Sequence, residues 1–248
     1  MKKHYNVDGD VLVFRAAWKS ESVHDWGNDL YSVVADLNEA RGHYDHILAS
    51  IVGDNEYTVV FSDPDSQNFR YEVFEDYKSA RHSTGSRKPL VYRDLRRELI
   101  ETRPERHTYL PCVEGDDVLG ILQTADTVCC TIDKDLQCIP GSHYNFDKDE
   151  YTEVTHQEAY EFFLRQALAG DATDGIPGIR GVGLKTAEKI LTKRGYSWQS
   201  VVDEYVDRGL SEEFALMNAR LVRILTPALW NYKDHAPILW TPEMEGAE

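Results

Sequence analysis

The chain has 248 residues, of which 42% are hydrophobic and 28% charged, an ordinary balance for one large domain or a domain with a small appendage. It carries 27 Lys and Arg against 43 Asp and Glu, so its net charge is −16, whereas a nucleic-acid-binding protein is expected to be basic. No signal peptide or apolar run near ~20 residues is present, which disfavours secretion and membrane spanning and predicts a reduced, cytoplasmic protein. The cysteines form no CxxC pair, which disfavours zinc and favours buried packing roles. They are Cys112, Cys129, Cys130 and Cys138.

The pattern of apolar and turn residues predicts strands that alternate with helices. The predicted elements, in chain order, are strand 4–8, helix 11–18, helix 29–51, strand 56–61, helices 68–81 and 90–102, strand 106–110, helix 114–123, strand 127–132 and helix 155–169. Thr155 and Glu158 are spaced as a capping box that begins the last of these helices. From about Asp171 onward the chain is predicted to be mainly helical, and no pattern is found after Pro237. A parallel α/β sheet is the fold that this alternation favours.

Positive charge is concentrated in one part of this otherwise acidic chain. Nine of the 27 basic residues lie between positions 78 and 106, together with only four acids. They are Lys78, Arg81, Arg87, Lys88, Arg93, Arg96, Arg97, Arg103 and Arg106. A local basic surface therefore remains compatible with binding a polyanion.

Acidic residues recur at the ends of the predicted strands, where ligands of parallel sheets bind. Nine acids form the candidate set: Asp8, Asp63, Glu114, Asp116, Asp117, Asp133, Asp135, Asp171 and Asp174. Each of them, taken singly, is explained as readily by a turn or a helix cap. Together they suit hard divalent cations such as Mg²⁺, and two ions about 4 Å apart would serve phosphodiester displacement. Asp10 and Asp65 are placed outside this set.

The run from Gly170 to Ala187 joins two carboxylates to a glycine-punctuated turn and a helix predicted over 184–192. Glycines in that turn let backbone N–H groups approach phosphate oxygens, and Lys185 adds positive charge at the helix start. Leu184 separates Gly183 from Lys185, so the spacing of a Walker-type phosphate loop is absent. A metal site beside a phosphate-binding turn would suit an enzyme that cuts nucleic acid.

Four motifs, in consistent order, resemble those of the 5′-nuclease (flap endonuclease) family, which includes the 5′-to-3′ exonuclease domain of DNA polymerase I and stand-alone bacteriophage exonucleases. They are NFR at 68–70 followed by YKSAR at 77–81, VEGDDVL at 113–119, TIDKDL at 131–136 and GDATDGIPGIRGVGLKTA at 170–187. The last of these is the most specific. The family's acid directly after the second strand is replaced here by Ser62. Asp63, which follows, is the expected ligand, with Asp65 as the alternative.

The resemblance implies a PIN-like central parallel sheet flanked by helices, with a helical arch at about 68–104 and a C-terminal helix-hairpin-helix region. The corresponding domains are an α/β catalytic domain over 1–168 and a helical DNA-binding region over 169–248. It also implies two Mg²⁺ or Mn²⁺ sites. The first set of ligands would be Asp8, Asp63, Glu114 and Asp116, and the second Asp133, Asp135, Asp171 and Asp174, with Asp117 in support.

The resemblance further implies that Lys78 and Arg81 face the scissile phosphate, and that K⁺ binds at the hairpin. The implied DNA-binding residues are Arg70, Lys78, Arg81, Gly178, Gly181, Gly183, Lys185 and Thr186. The implied activity is metal-dependent 5′-to-3′ exonuclease and 5′-flap endonuclease action on DNA by a monomer, extending to RNA primers in RNA/DNA hybrids, in a bacterial or phage-infected cytoplasm. A PIN-like ribonuclease and a non-catalytic DNA-binding module are the alternatives.

Overall fold

The computed structural model describes residues 3–65, 67–79 and 87–244, and its centre is a six-stranded sheet of order β5–β4–β1–β6–β7–β8. Five strands run parallel, and β8 pairs antiparallel with β7. The strands are β1 (His4–Asp8), β4 (Tyr57–Phe61), β5 (His107–Tyr109), β6 (Thr127–Cys130), β7 (Gly141–Asn145) and β8 (Glu150–Val154). The predicted α/β fold with a central, mostly parallel sheet is therefore confirmed.

The central strands are buried because helices cover both faces of the sheet. Val59 and Phe61 of β4 pack into one core, whereas Val60 between them packs into the other, as the two-residue period of a strand requires. Cys129 and Cys130 divide between the two cores in the same way. The prediction of buried packing roles holds for these two and for Cys138, whereas Cys112 is partly exposed.

Helices form a layer on each side of the sheet. The layer beside Val59 and Phe61 contains α1 (Gly9–Lys19), α2 (Leu37–Val52) and α4 (Tyr92–Thr102). The opposite layer contains α5 (Gly115–Leu122), α6 (His156–Ala169), α7 (Leu184–Arg194), α8 (Trp198–Asp207) and α9 (Glu212–Val222). The C-terminal helices share a core with α5 and α6, and the division at residues 168 and 169 stays a prediction.

The start of α6 and the end of the described chain are both held by specific contacts. Thr155 and Glu158 form the predicted capping box, each accepting a hydrogen bond from the other's backbone N–H. Trp240 lies in the tail without a sequence pattern, yet it is buried, with its ring centroid 5.0 Å from those of Phe163 and Trp198. The tail is therefore packed against the C-terminal helices.

The helical prediction over 29–51 is confirmed from Leu37 onward but wrong before it. Tyr31–Ala35 is a strand, β3, which pairs with β2 (Glu21–Asp25), and the helix begins only at Leu37 after the cap Asp36. The turn between the two strands contains Gly27, Asn28 and Asp29, all with positive φ. Val33 and Val34 have helical spacing with their neighbours but are also favoured in strands, which explains the error.

The predicted helix over 68–81 is also wrong beyond its first turn. Among the described positions of this range, α3 (Arg70–Val73) is the α-helix, and Phe74 is extended where it follows. Lys78 has φ 56°, and its N–H donates to the carbonyl of Asp174 at 2.7 Å, so the chain turns towards a distant loop. Positions 80–86, including Arg81, lie outside the described residues. The second predicted helix is confirmed as α4.

Three further features complete the architecture. The antiparallel pair β7 and β8 was not predicted, because these strands lie in the polar stretch between residues 141 and 154. Short strands β9 (Trp230–Asn231) and β10 (Ala236–Pro237) pair near the C-terminal end. Within the described ranges, every helix is too short or too polar to cross a lipid bilayer.

Candidate metal centre

An open cavity of about 900 Å³ lies at the carboxyl ends of the central strands. Seven of the nine predicted acids line it: Asp8, Glu114, Asp116, Asp133, Asp135, Asp171 and Asp174. Asp10 also lines it, although the sequence placed this residue outside the candidate set. The topology explains the convergence, because strands β1, β4, β5 and β6 end at the same edge of the sheet.

Asp8 ends β1 and also caps α1. Its Oδ1 accepts a hydrogen bond from the Val11 N–H at 3.2 Å, and its Oδ2 accepts one from the Thr131 hydroxyl at 3.0 Å. Burial, followed by the nearby charge of Asp10, raises the pKa of Asp8 to about 7. The carboxylate is thus held in a fixed orientation where a second negative charge is unfavourable.

Asp116 is buried among other carboxylates. Burial raises its pKa well above the ordinary value, and the charges of Asp8 and Asp133 raise it further. Among the described residues no hydrogen-bond donor reaches the Asp116 carboxylate. Burial and the charge of Asp133 likewise raise the pKa of Asp135 to about 6. These carboxylates can all be ionised together only if a cation lies among them.

Glu114 differs, because protein cations already surround it. Lys78 donates to Glu114 Oε1, and the Tyr77 hydroxyl donates to Oε2 at 2.7 Å. Burial acts to raise the pKa of Glu114, but the positive charges of Lys78 and Arg70 outweigh it and lower the pKa to about 2. Glu114 is therefore ionised throughout the physiological range.

Tyr77 and Lys78 connect the two predicted sets of ligands. The Tyr77 hydroxyl is 3.3 Å from Asp174 Oδ2, and Lys78 Nζ is 3.4 Å from the same oxygen. Both side chains therefore lie between Glu114 of the first set and Asp174 of the second. Gly175 fits beneath this turn with φ 71°, where an added Cβ would be 3.2 Å from the Asp76 carbonyl oxygen. The segment around Tyr77 and Lys78, in the first part of the predicted arch, therefore packs against the loop that carries Asp174.

The loop between α6 and the glycine turn is closed by its own backbone. Asp171 and Ile176 exchange N–H···O hydrogen bonds of 3.0 and 2.8 Å, which brings the ends of this loop together. The Asp171 carboxylate accepts a further hydrogen bond from the Thr173 N–H at 2.7 Å. The loop therefore presents the carboxylates of Asp171 and Asp174 to the cavity from a compact turn.

Two predicted site residues, Asp117 and Arg70, form a structural ion pair instead. Arg70 Nη1 and Nη2 donate to the Asp117 carboxylate at 2.6 and 2.8 Å, and both side chains are buried. Arg70 also donates to the carbonyls of Leu221 and Arg223, and Asp117 accepts from the Leu225 N–H. Both groups are thus engaged within the protein, although Arg70 also lines the cavity, 3.7 Å from Glu114 Oε2. Support of a metal by Asp117 and DNA binding by Arg70 stay predictions.

Asp63 is not brought to the cavity. Its Oδ1 accepts from the Asp65 N–H and its Oδ2 accepts from the Cys112 N–H, both at 2.7 Å. Asp63 therefore closes the turn after β4 and is not among the residues that line the cavity, and its role as a ligand of the first metal stays a prediction. Ser62, one residue earlier, faces the cavity together with Asp10.

The glycine turn provides fewer phosphate-binding groups than the sequence predicted. The Gly178 N–H donates to the buried Asn218 Oδ1 at 2.8 Å, and a Cβ there would be 2.4 Å from Ala169 backbone atoms, so Gly178 has a packing role. Gly181 and Gly183 are exposed, and Gly183, Lys185 and Thr186 line the cavity rim. The N–H groups in the first turn of a helix have no carbonyl partner in a preceding turn, although that of Thr186 donates to the Gly183 carbonyl at 2.9 Å.

The sequence did not indicate Tyr77 or Asp10 as site residues. Arg81, which it did indicate, lies outside the described residues. The Asp-Gly-Asp run at the end of β1 was the available signal for Asp10. The contact of Tyr77 with Glu114 depends on a turn that the helix predicted over 68–81 did not include.

The donor set fits hard divalent cations, because the cavity carboxylates supply only oxygen and their pKa values reflect an excess of negative charge. Within residues 3–65, 67–79 and 87–244, no three His, Cys, Asp or Glu side chains are arranged to enclose a single ion. The carboxylates surround the cavity from several sides, so binding would require side-chain rotation.

Known proteins with this combination of sheet and acidic edge include the 5′-nucleases, and sequence relatives point the same way. The chain is 27% identical to the exodeoxyribonuclease of Enterobacteria phage T3, over 95% of this chain and 92% of that protein. It is 28% identical to DNA polymerase I of Deinococcus radiodurans over 76% of this chain but only 20% of the polymerase. No family model matches the chain. These relatives confirm the resemblance to the 5′-nuclease family.

A solved structure shares the fold over nearly the full length. The bacteriophage T5 D15 flap endonuclease superposes with a TM-score of 0.63 at 18% identity, covering 91% of this chain and 89% of that one. Its structure was determined as a complex with DNA and metal ions. The individual ligand assignments and the helix-hairpin-helix assignment in the present chain remain predictions.

Proposed function

We propose that this chain is a metal-dependent 5′-to-3′ exonuclease and structure-specific 5′-flap endonuclease that hydrolyses phosphodiester bonds in DNA. The observation that carries the proposal is the convergence of seven predicted acids on one cavity, with Lys78 across it and the start of α7 at its rim. The phage T3 relative is named an exodeoxyribonuclease, and the similar T5 protein a flap endonuclease. The same chemistry is assigned here to the cavity.

Divalent cations held by Asp8, Glu114, Asp116, Asp133, Asp135, Asp171 and Asp174 would lower the pKa of bound water and stabilise charge on the phosphate oxygens. The chain itself holds the acids in place through backbone N–H groups, the Thr131 hydroxyl and the Tyr77 hydroxyl. Two ions, Mg²⁺ or Mn²⁺, are proposed because seven carboxylates exceed what one ion requires.

Lys78 supplies the positive charge nearest to the carboxylates. Its side chain is 15% exposed, and its backbone is fixed by the hydrogen bond to Asp174. A preorganised ammonium of this kind stabilises negative charge that develops on a phosphate or leaving oxygen. Lys78 therefore binds and orients the scissile phosphate in the proposal, and Arg81 is proposed to assist it from the arch.

The duplex backbone is proposed to bind along α7. Lys185, Lys189 and Lys193 are exposed and four residues apart, so they lie on one face of this helix. The N-terminus of α7, with Gly183 and Thr186, opens on the cavity rim and favours a phosphate through its free N–H groups and helix dipole. A local cationic surface thus offsets the net charge of −16 where DNA would bind.

Finer parts of the proposal follow from the resemblance. They are K⁺ binding at the glycine turn near Gly181, removal of RNA primers from RNA/DNA hybrids, action as a monomer, and a cytoplasmic location. None of them is needed for the hydrolytic chemistry at the carboxylates.

The experiment is cleavage of a 5′-labelled flap DNA by the purified chain with Mg²⁺ or with EDTA. The wild type is expected to cleave near the junction only with Mg²⁺, and the double variant Asp116→Asn/Asp174→Asn is expected to lose at least about 10³-fold in rate. The matched control is Asp94→Asn, an exposed acid on α4, which should retain wild-type activity.

Cleavage of matched RNA flaps and its dependence on metal distinguish the proposal from the alternatives. Preference for the RNA flap would support a PIN-like ribonuclease, and structure-specific binding without turnover would support a DNA-binding module. Wild-type cleavage by the Asp116→Asn/Asp174→Asn double variant would refute the proposed site.

A further inference from the structure

Asp10 lies on the cavity wall but differs from its acidic neighbours, because protein donors satisfy both of its oxygens. Its Oδ2 accepts from the Ser62 N–H at 2.8 Å and from the Ser62 hydroxyl at 2.6 Å. Its Oδ1 accepts from the Tyr92 hydroxyl at 3.1 Å. Asp116 in the same cavity accepts no hydrogen bond from a described residue. Asp10 is therefore oriented by the protein itself.

A buried arginine also balances the charge of Asp10. Arg96 Nε lies 3.2 Å from Asp10 Oδ1, and the Arg96 side chain is 12% exposed. Arg96 Nη2 donates to the Ser62 carbonyl. Tyr92 and Arg96 are one turn apart on α4, so one face of this helix is fixed to both the start of α1 and the end of β4.

Ser62 extends these contacts to the first turn of α5. The Gly115 N–H donates to Ser62 Oγ at 3.0 Å, while the Ser62 hydroxyl proton is donated to Asp10. A Cβ at position 115 would lie 3.3 Å from Ser62 N and 3.4 Å from Asp10 Oδ2, which is closer than ordinary packing allows for the first of these contacts. The glycine lets the backbone that carries Glu114 and Asp116 rest directly on Ser62.

We propose that Asp10, Ser62 and Arg96 form a positioning network that sets the location of Glu114 and Asp116, and that Asp10 is not itself a metal ligand. The proposal rests on the proposed function for the identity of the site. Arg96 balances the charge of Asp10, and both oxygens of Asp10 accept hydrogen bonds. Asp116 has neither kind of partner among the described residues. Hydrogen bonds behind metal-ligating carboxylates typically change metal affinity or activity about 10–100-fold.

The first test measures Mn²⁺ binding to the DNA-free protein, by the electron paramagnetic resonance signal of free Mn²⁺. Ser62→Ala and Asp10→Asn are expected to weaken Mn²⁺ binding about 10–100-fold without reducing the number of bound ions. Ser62→Thr keeps the hydroxyl and is expected to restore binding. The matched control is Asp94→Asn/Arg97→Met, which removes an exposed ion pair of 2.8 Å from the same helix and should bind Mn²⁺ as the wild type does.

The second test asks whether the residues act as a unit. The double variant Asp10→Asn/Arg96→Met is expected to bind Mn²⁺ no more weakly than the weaker of its single variants, because Asp10 and Arg96 contact each other and both contact Ser62, so the two changes disturb the same arrangement. Flap cleavage by Ser62→Ala and Asp10→Asn should recover towards the wild-type rate as Mn²⁺ is raised to saturation.

Three outcomes would overturn the proposal. Loss of one bound Mn²⁺ in Asp10→Asn, with cleavage not recovered at any concentration, would make Asp10 a ligand. Wild-type Mn²⁺ affinity in both Ser62→Ala and Asp10→Asn would remove any positioning role, and fully additive losses in the double variant would exclude a network. Failure of the proposed function is distinguished by a wild type that binds Mn²⁺ but cleaves no DNA with a 5′ end.

Discussion

Adjacent acids in the first turn of α5 lie in opposite environments. Asp117 points into the protein, where Arg70 and the Leu225 N–H neutralise and hydrogen-bond it. Asp116 points into the cavity, where other carboxylates surround it and its pKa rises. The helix places consecutive side chains about 100° apart, so one residue of sequence separates a completed ion pair from an uncompensated charge. A cluster of acids identifies a binding site only where the protein leaves the charge unbalanced.

The largest expected effect comes from breaking the completed pair. Arg70→Met should lower the free energy of unfolding by about 3–5 kcal/mol, because it leaves Asp117 buried without a counter-charge. Urea unfolding followed by circular dichroism measures this. The matched control, Arg97→Met at the exposed surface, should change stability by less than about 1 kcal/mol.

The same comparison predicts that removing both partners of the pair is milder than removing one. Arg70→Met/Asp117→Leu should recover part of the lost stability, since no buried charge then remains. A double variant as unstable as Arg70→Met would show that lost packing, not the unpaired charge, causes the effect.

Neutralising the adjacent acids Asp116 and Asp117 one at a time is expected to change stability by smaller amounts and in opposite directions. At pH 8 with EDTA, Asp116→Asn should stabilise the fold by about 1 kcal/mol, because folding raises the pKa of this carboxyl group and so disfavours its ionised form. Asp117→Asn should instead destabilise the fold by about 1–3 kcal/mol, because it weakens a satisfied ion pair. Thermal or urea unfolding of the two variants provides the measurement. A shift of stability in the same direction for both substitutions would contradict this prediction.

The uncompensated acids also predict the pH dependence of stability. The folded-state pKa is about 7 for Asp8 and about 6 for Asp135, above the value of 3.8 for an unhindered Asp. Between these values the folded state binds more protons than the unfolded state, so stability falls as pH rises. With EDTA, the Tm should fall between pH 6 and pH 8, by about 2–4 °C for each kcal/mol of unfolding free energy that is lost. Saturating Mg²⁺ should reduce this fall. A Tm that rises over this range in EDTA would contradict the sign.

The smallest effect on stability is expected from exposed cations. Neutralising Lys185, Lys189 and Lys193 together should leave the urea midpoint almost unchanged, since these side chains are exposed. The same variant should reduce the slope of log binding constant against log salt concentration by up to about 3, if each lysine contacts one phosphate. Fluorescence anisotropy with duplex DNA in Ca²⁺ measures the slope, and an unchanged slope would place the duplex elsewhere.

The sequence predicted the sheet and most of the cavity, because both depend on local patterns. Buried strands ending in acids are legible from runs such as those ending at Asp8 and near Asp133, and the motif at 113–119 placed Glu114 and Asp116. These features require only strand periodicity and the rule that parallel strands end at one edge.

The contacts of the remaining site residues could not be predicted, because they depend on long-range packing. Arg70 and Asp117 look like site residues in their motifs, but their pairing and their contacts with Leu221 and Leu225 join parts of the chain that no local pattern relates. Gly178 is similar, because Asn218 takes its N–H. The hairpin of β2 and β3 was missed for another reason, since valines at positions 33 and 34 satisfy both helical and strand spacing.

The contacts of Asn218 with Gly178 and of the Leu225 N–H with Asp117 have a consequence for biosynthesis. Both contacts support the loops and the helix that carry cavity acids, yet they come from residues near the end of the chain. During translation the earlier segments leave the ribosome first, and contacts of high sequence separation form last. The acidic cavity therefore reaches its final form only after residues 218–225 have been synthesised, so a nascent chain that stops before them lacks the assembled hydrolytic centre.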